Sequence, residues 1–215
     1  MGYSAETPMQ TAWRDTRIAR IYEGTNEINR MLSVGMLIKK AMKGQLDLIG
    51  PATAVGEELL GIPDFAIPDF SAPLSQEKHI LKNLKKVFLM IAGAGVQKYG
   101  TELEEHQQLL LAVADILIEV YMAESAVLRA EKNIGVYGLE AQEHQVALSQ
   151  LYLYQAVEKI STKGREAILG FAEGDEQKAL LMGLKRFTKY MEYPNVIALR
   201  NKVAEKLTAE NVYCI

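Results

Sequence analysis

The stretch SQEKHILKNLKKVFLMIAGAGVQKYG, residues 75–100, decides the fold class. Ile80, Leu84, Val87, Phe88, Ile91, Ala92 and Gly95 recur every three or four residues, the period of one face of an α-helix. Ser75 stands where a capping hydroxyl is wanted, and Gly100 where a helix stops. A helix with one apolar stripe gains its stability from packing, so the stripe demands partners. Lys78, Lys82, Lys85 and Lys86 line another side. They read as a solvated face, and a basic amphipathic helix can also lie on an anionic membrane.

The chain downstream supplies the partners. Thr101-Glu102-Leu103-Glu104 reads as a capping box opening a second long helix, with Leu103, Leu110, Val113, Leu117, Val120, Tyr121 and Val127 inward. Gly135 and Gly138 make a turn. A third helix is expected from about Leu139 to Thr162, with Leu148, Leu151, Tyr154 and Val157 inward. Gly164, Gly170 and Gly174 loosen the next segment, Asp175 caps a helix through Tyr190, and Asn195 caps a last one after Pro194. No segment alternates convincingly with period two. The expectation is all-α: an antiparallel helical bundle over residues 75–215.

Upstream, residues 44–74 hold four of the six prolines, Pro51, Pro63, Pro68 and Pro73. Proline removes a backbone donor and disfavours helix before it, so this reads as a Pro-rich connector and the domain boundary. Ala52–Leu60 is a short helix within it. Ile62-Pro63-Asp64-Phe65 and Ile67-Pro68-Asp69-Phe70 echo each other and read as an apolar strap. Residues 1–43 carry two helices. The first is capped by Thr7, with Pro8 at its first position and Gln10 closing a capping box. It runs through Arg14-Asp15 and breaks before Glu23. The second begins at Thr25, shows Ile28, Met31, Leu32, Gly35, Met36 and Lys39 at helical spacing, and ends at Gly44.

Composition excludes more than it assigns. The 215 residues are 49% hydrophobic, with a formal net charge of −3, which gives no reason to expect nucleic-acid binding. Residues 1–43 hold seven Lys or Arg against four Asp or Glu, an ordinary surface imbalance. One cysteine, Cys214, excludes an internal disulfide and fits a reducing compartment. No signal sequence and no membrane-spanning run is visible, so a cytoplasmic location is expected. His79, His106 and His144 lie on three different helices without a partner ligand at i+3 or i+4, so no metal site is expected. Gly93-Ala94-Gly95 follows no strand, which rules out a phosphate loop and leaves close helix packing. Tyr152 and Tyr154 read as core or rim.

One stretch concentrates chemical potential: Ile18-Ala19-Arg20-Ile21-Tyr22-Glu23-Gly24-Thr25-Asn26-Glu27-Ile28. Glu23 is a carboxylate beside Gly24, which permits a tight backbone or a close ligand. Thr25 is a good N-cap, with Asn26 and Glu27 in the first helical turn behind it. The pattern aims free N–H groups and a carboxylate at one small volume. On spacing alone, a cap or a surface charge explains Glu23 more often than catalysis does.

Gly2-Tyr3, Arg14-Asp15 with Arg17-Ile18, then Ile21 to Ile28 and Arg30, in this order and spacing, resemble the acyl-CoA dehydrogenase family over residues 1 to about 43. Residues 75–215 resemble, more loosely, the carboxy-terminal extension of its very-long-chain branch. The resemblance implies FAD-dependent oxidation of fatty acyl-CoA thioesters to trans-2-enoyl-CoA, a step of fatty-acid β-oxidation, with electrons passing to an electron-transfer flavoprotein. It implies Glu23 as the base that removes the α-proton, Tyr22 and Gly24 flanking the acyl chain, and Thr25, Asn26 and Glu27 contacting FAD. Glu27 stands where relatives commonly carry Gln. The chemistry is coherent: polarising the thioester carbonyl and raising a carboxylate's pKa by desolvation bring acid and base together.

Relatives carry a Gln-x-x-Gly-Gly segment before the position of Met1, and further domains ahead of it. The resemblance therefore implies a carboxy-terminal fragment, inactive and unable to hold FAD by itself. It also implies a homo-oligomer. The competing expectation is a non-catalytic interaction module for oligomerisation or peripheral membrane association.

Overall fold

The computed structural model describes residues 3–61 and 68–212. Their elements are α1 (Met9–Ile18), α2 (Asn26–Met42), α3 (Ile49–Leu60), α4 (Ser75–Tyr99), α5 (Gln107–Tyr137), α6 (Glu143–Phe171), α7 (Gly174–Phe187) and α8 (Val196–Glu210). Two 3₁₀ turns, Gly100–Glu105 and Glu140–Gln142, sit between α4 and α5 and between α5 and α6. Among the described residues there is no strand, and the all-α antiparallel bundle is what forms. Helices α4, α5 and α6 pack on one another and α7 closes against α4 and α6. Helix α2 docks on α5, α3 on α4 and α7, and α8 on α6.

The α4 stripe faces the core as its spacing requires. Leu84, Val87 and Ile91 are fully enclosed, and Ile80 and Phe88 nearly so. Each such side chain contributes about 1.5–3 kcal/mol by leaving water. Gly95 lies against Leu103 and Leu109, and Gly93 against Ala52, which is the close packing expected of them.

Several local expectations fail because a tertiary contact outweighs a local signal. Ser75 does not cap α4: Leu74 takes the cap position at φ 61, its side chain buried, while the Ser75 hydroxyl donates to the Ala72 carbonyl at 2.6 Å. Residues 101–104 do not open α5. They form the first 3₁₀ turn, which buries Leu103, and His106 stacks on Tyr99 before α5 begins at Gln107. Tyr121 faces solvent, and Ala114, Ile116 and Ala123 are enclosed instead. Gly135 stays helical, and Gly138 alone, at φ 84, makes the turn.

Helix α6 starts later and runs further than its sequence suggested, carrying Gly164 and Gly170 within it. A Cβ on Gly164 would lie 2.8 Å from Leu184 and 3.2 Å from Ile91, so this glycine lets α4 and α7 approach. Leu153, Ala156 and Ile160 are enclosed and Val157 nearly so, whereas Leu148, Leu151 and Tyr154 are half-buried. Asp175 pairs with Lys178 at 2.9 Å rather than capping α7, which starts at Gly174 with φ 60 and ends at Phe187, short of Tyr190. Asn195 does cap α8, accepting from the Ala198 N–H at 3.1 Å.

At the amino-terminal end, Thr7 donates its hydroxyl to the Ser4 carbonyl at 3.1 Å, Pro8 takes the cap position, and Gln10 makes no reciprocal capping bond. Helix α3 begins at Ile49, ahead of Ala52, and takes Pro51 in its first turn, where no donor is missed. Residues 62–67 of the tandem echo, and Cys214, lie outside the described residues. Phe70 meets His79 edge-on at 5.6 Å. The lysine row on α4 is largely committed to acids: Lys78 to Glu131, Lys85 to Glu124 and Lys86 to Glu58. No described helix is long and apolar enough to cross a membrane, and no described cluster of His, Cys, Asp or Glu could hold a metal.

His144 makes stability depend on pH. It is buried on α6, with neither ring nitrogen hydrogen-bonded among the described residues. Burial first, then Lys206 and Lys202, hold its pKa below the ordinary value, and His79 shifts the same way, again by burial first. The unfolded chain therefore binds more protons below about pH 6.5, and stability falls as pH drops through that value. The expected result is a lower urea midpoint at pH 5.5 than at pH 7.5, with a smaller difference in His144→Leu. Equal wild-type midpoints at the two pH values contradict the assignment.

Candidate active site

Helix α1 stops because the chain tightens after Ile18: the Ile21 and Tyr22 N–H groups both donate to the Ile18 carbonyl, at 2.9 and 3.4 Å. Glu23 and Gly24 then take positive φ values of 56 and 92. A side chain in this left-handed region costs roughly 1–2 kcal/mol, so Glu23 is held there by its surroundings. Two contacts hold it. The Asn26 N–H closes the turn onto the Arg20 carbonyl at 3.1 Å, and Asn29 Nδ2 donates to the Gly24 carbonyl at 2.8 Å. A Cβ on Gly24 would meet Asn29 Oδ1 at 2.8 Å, which explains glycine there.

Thr25 is the N-cap of α2, its hydroxyl accepting from the Ile28 N–H at 3.2 Å. Thr25→Ala removes that acceptor at a cost of about 1 kcal/mol, expected as roughly fivefold faster amide exchange at Ile28. Unchanged exchange there contradicts the cap's contribution. The α2 start satisfies itself more than its sequence suggested. The Ile28 and Asn26 N–H groups are spent on Thr25 and Arg20, and Glu27's own N–H holds its carboxylate. That bond, helped by the Thr25 hydroxyl and by Arg30 and Arg20, keeps the Glu27 pKa below the ordinary carboxylate value.

Asn26 and Glu27 share a recess of about 360 Å³ with Arg20, Asn29, Arg30, Ser33 and Ile118. Arg30 is anchored across to α5, its Nη1 lying 2.5 Å from Asp115 Oδ1. Glu23, Tyr22, Gly24 and Thr25 do not line this recess. Glu23 and Gly24 are exposed, and Tyr22 presents an exposed ring. The structure thus joins two of the six sequence candidates to two arginines and leaves the other four on the adjoining turn. Sequence reasoning missed Asn29. Its signal is a side-chain amide five positions after a glycine that needs positive φ.

The surface around this turn is apolar. Met9, Trp13, Ile18, Ile21, Tyr22, Ile28 and Leu32 are all exposed, Trp13 to 71%, and α1 buries no residue at all.

Two family models, each described as acyl-CoA dehydrogenase, C-terminal domain, match residues 1–36 and 83–186. A probable acyl-CoA dehydrogenase of Bacillus subtilis is 37% identical over 216 residues, covering 100% of this chain and 36% of that protein. The rat mitochondrial very long-chain specific acyl-CoA dehydrogenase is 24% identical over 89% of this chain and 31% of its own length. The crystal structure of an acyl-CoA dehydrogenase complexed with FAD from Bacillus anthracis superposes with a TM-score of 0.93 at 36% identity, covering 100% of this chain and 36% of that one. The chain therefore spans about a third of the length of these relatives. Sequence and fold agree along the whole chain, and it belongs to the acyl-CoA dehydrogenase family.

Proposed function

We propose that these residues supply the general base and one wall of the cofactor site of an FAD-dependent enzyme that oxidises fatty acyl-CoA to trans-2-enoyl-CoA. The observation that carries the reading is the left-handed conformation of Glu23, a charged residue held in a strained turn that two hydrogen bonds pin. Glu23 takes the α-proton of the thioester. Its own N–H has no backbone acceptor among the described residues and is free for the thioester oxygen, whose developing charge it stabilises. Tyr22 and Gly24 border the acyl chain, one by an apolar ring and the other by having no side chain.

The residues fit FAD as a polar wall. Arg20, Arg30, Asn26 and Asn29 offer donors along the recess, and the Thr25 cap fixes the helix start behind it. Asn26 and Glu27 on the recess, with Thr25 beside it, would hold the cofactor, and FAD, when bound, supplies the hydride acceptor. An electron-transfer flavoprotein as the onward acceptor belongs to the same proposal. So does the division into residues 1–43 (end of the catalytic helical domain), 44–74 (connector) and 75–215 (helical extension).

With the turn exposed as it is, the 215 residues alone are expected to hold no flavin and to be inactive. Purified chain with absorbance near roughly 450 nm, a flavin property, contradicts that part. The catalytic reading is tested by adding acyl-CoA anaerobically to FAD-loaded enzyme containing these residues. Bleaching of the flavin is expected, and its absence overturns the reading.

The exposed apolar row on α1 and α2 favours a second reading, in which the chain is an interaction module forming homo-oligomers. Sedimentation velocity of the isolated chain tests it. A monomer at all concentrations counts against self-association, and unchanged sedimentation with anionic vesicles counts against membrane contact.

A further inference from the structure

Glu77 and Tyr190 are polar groups that the bundle encloses without fully satisfying. Glu77, in the first turn of α4, is 7% exposed, and Gln150 Nε2 donates to its Oε1 at 2.7 Å. Among the described residues no Lys, Arg or His pairs with it. Tyr190, just beyond α7, is 3% exposed, and its hydroxyl has no hydrogen-bond partner among the described residues. Burial first, then the Glu77 carboxylate, push the Tyr190 pKa above the ordinary phenol value. The positive end of α4 and the Gln150 amide offset part of the cost of enclosing Glu77. The phenol remains without a protein partner among the described residues, which is rare for a group this buried, and the second Glu77 oxygen makes no hydrogen bond to a described residue.

Both groups line one cavity of about 350 Å³ between the start of α4, α6 and the segment joining α7 to α8. The Tyr193 ring stands 5.3 Å from Tyr190, and Tyr154 lies 6.3 Å from it on the other pairing. The joining segment is clasped in place. Gln76 donates to the Glu192 carbonyl at 3.3 Å and accepts from the Glu192 N–H at 3.1 Å. Glu77, Glu192 and Lys202 line the cavity and Glu158 acts on Tyr190 from α6; the Lys202 ammonium is already bonded to Glu143 at 2.6 Å, so the charge left without a partner is acidic. The volume suits a small molecule. The walls carry two tyrosine rings, aliphatic side chains, two carboxylates and the paired Lys202.

We propose that this cavity binds the primary ammonium group of a small organic amine. Glu77 is the counter-ion, Tyr190 Oη accepts a second N–H, and the Tyr193 ring flanks the alkyl part. A primary ammonium carries three donors and a charge, matching a carboxylate oxygen and a phenol oxygen that lack partners. A quaternary ammonium would leave the phenol unpaired, and a neutral molecule would leave the carboxylate without a counter-charge. This site is independent of the Glu23 turn and does not rest on the catalytic reading.

The test titrates the full chain with n-butylammonium, using n-butanol as the neutral probe, and follows amide NMR shifts and Tm. Saturable shifts at Glu77, Tyr190 and Tyr193, with a rise in Tm, are expected for the amine and not for the alcohol. Glu77→Gln keeps the volume and removes a buried charge, so it folds, and it should weaken amine binding by about tenfold or more. Tyr190→Phe, an independent arm, should weaken it several-fold. Equal response to amine and alcohol, undiminished affinity in both variants, or no saturable response overturns the proposal.

Discussion

Replacing Glu23 with glutamine is expected to leave FAD bound and to slow flavin reduction by acyl-CoA by roughly 10²–10⁴-fold, the usual contribution of a positioned general base. Glutamine has the size of glutamate and can keep the φ of 56 that the turn enforces. It cannot take a proton. The substitution therefore separates the backbone of this turn, which Asn29 and Arg20 pin, from the carboxylate proposed as the base. The measurement is stopped-flow bleaching of FAD-loaded enzyme containing these residues, with FAD content checked by absorbance after denaturation. Bleaching at the wild-type rate would remove Glu23 from the chemistry. Loss of FAD together with activity would mean that the turn itself had been disturbed.

Glu23→Asp separates position from basicity. It keeps a base of similar strength and withdraws the carboxylate by one methylene. Misplacement on the scale of 1 Å costs about 10²-fold in well-aligned reactions, so an intermediate rate is expected if position matters as well as basicity.

Whether a feature was legible in the sequence depended on whether its signal was local. The Thr25 and Asn195 caps read correctly because an N-cap needs only its own side chain and an N–H three residues on. The α4 stripe read correctly because its large members all enter one core cluster. Ser75 and residues 101–104 misled for the opposite reason. Leu74 and Leu103 are drawn into the core cluster, and their burial overrode adequate capping signals. Gly164 misled most. A glycine mid-helix looks like a weakness until Leu184 and Ile91 are known to occupy the place of its missing Cβ. At the site, residue types and order identified the turn. The positive φ of Glu23 and its support by Asn29 are three-dimensional properties that no spacing records.

The second large effect lies where α3, α4 and α7 meet. Phe187 is 2% exposed at the end of α7. Lys86 Nζ stands 5.3 Å from its ring centroid and the Arg186 guanidinium 5.6 Å. Both cations also bond to Glu58 of α3, at 2.7 and 3.2 Å. Two contributions hold this junction, the buried ring and the charge network, and magnitudes decide between them. The network is about a third exposed, so each ion pair is worth no more than about 1 kcal/mol. Removing the ring loses its transfer energy and leaves a cavity, for roughly 3–5 kcal/mol. Phe187→Ala is therefore expected to lower Tm by on the order of 10 °C in a chain of this size, and Glu58→Ala by far less. Thermal unfolding of the two variants side by side measures both. If Glu58→Ala were the more damaging, the junction would be held by charge, and α3 would owe its place to Lys86 and Arg186 rather than to the apolar surface beneath them.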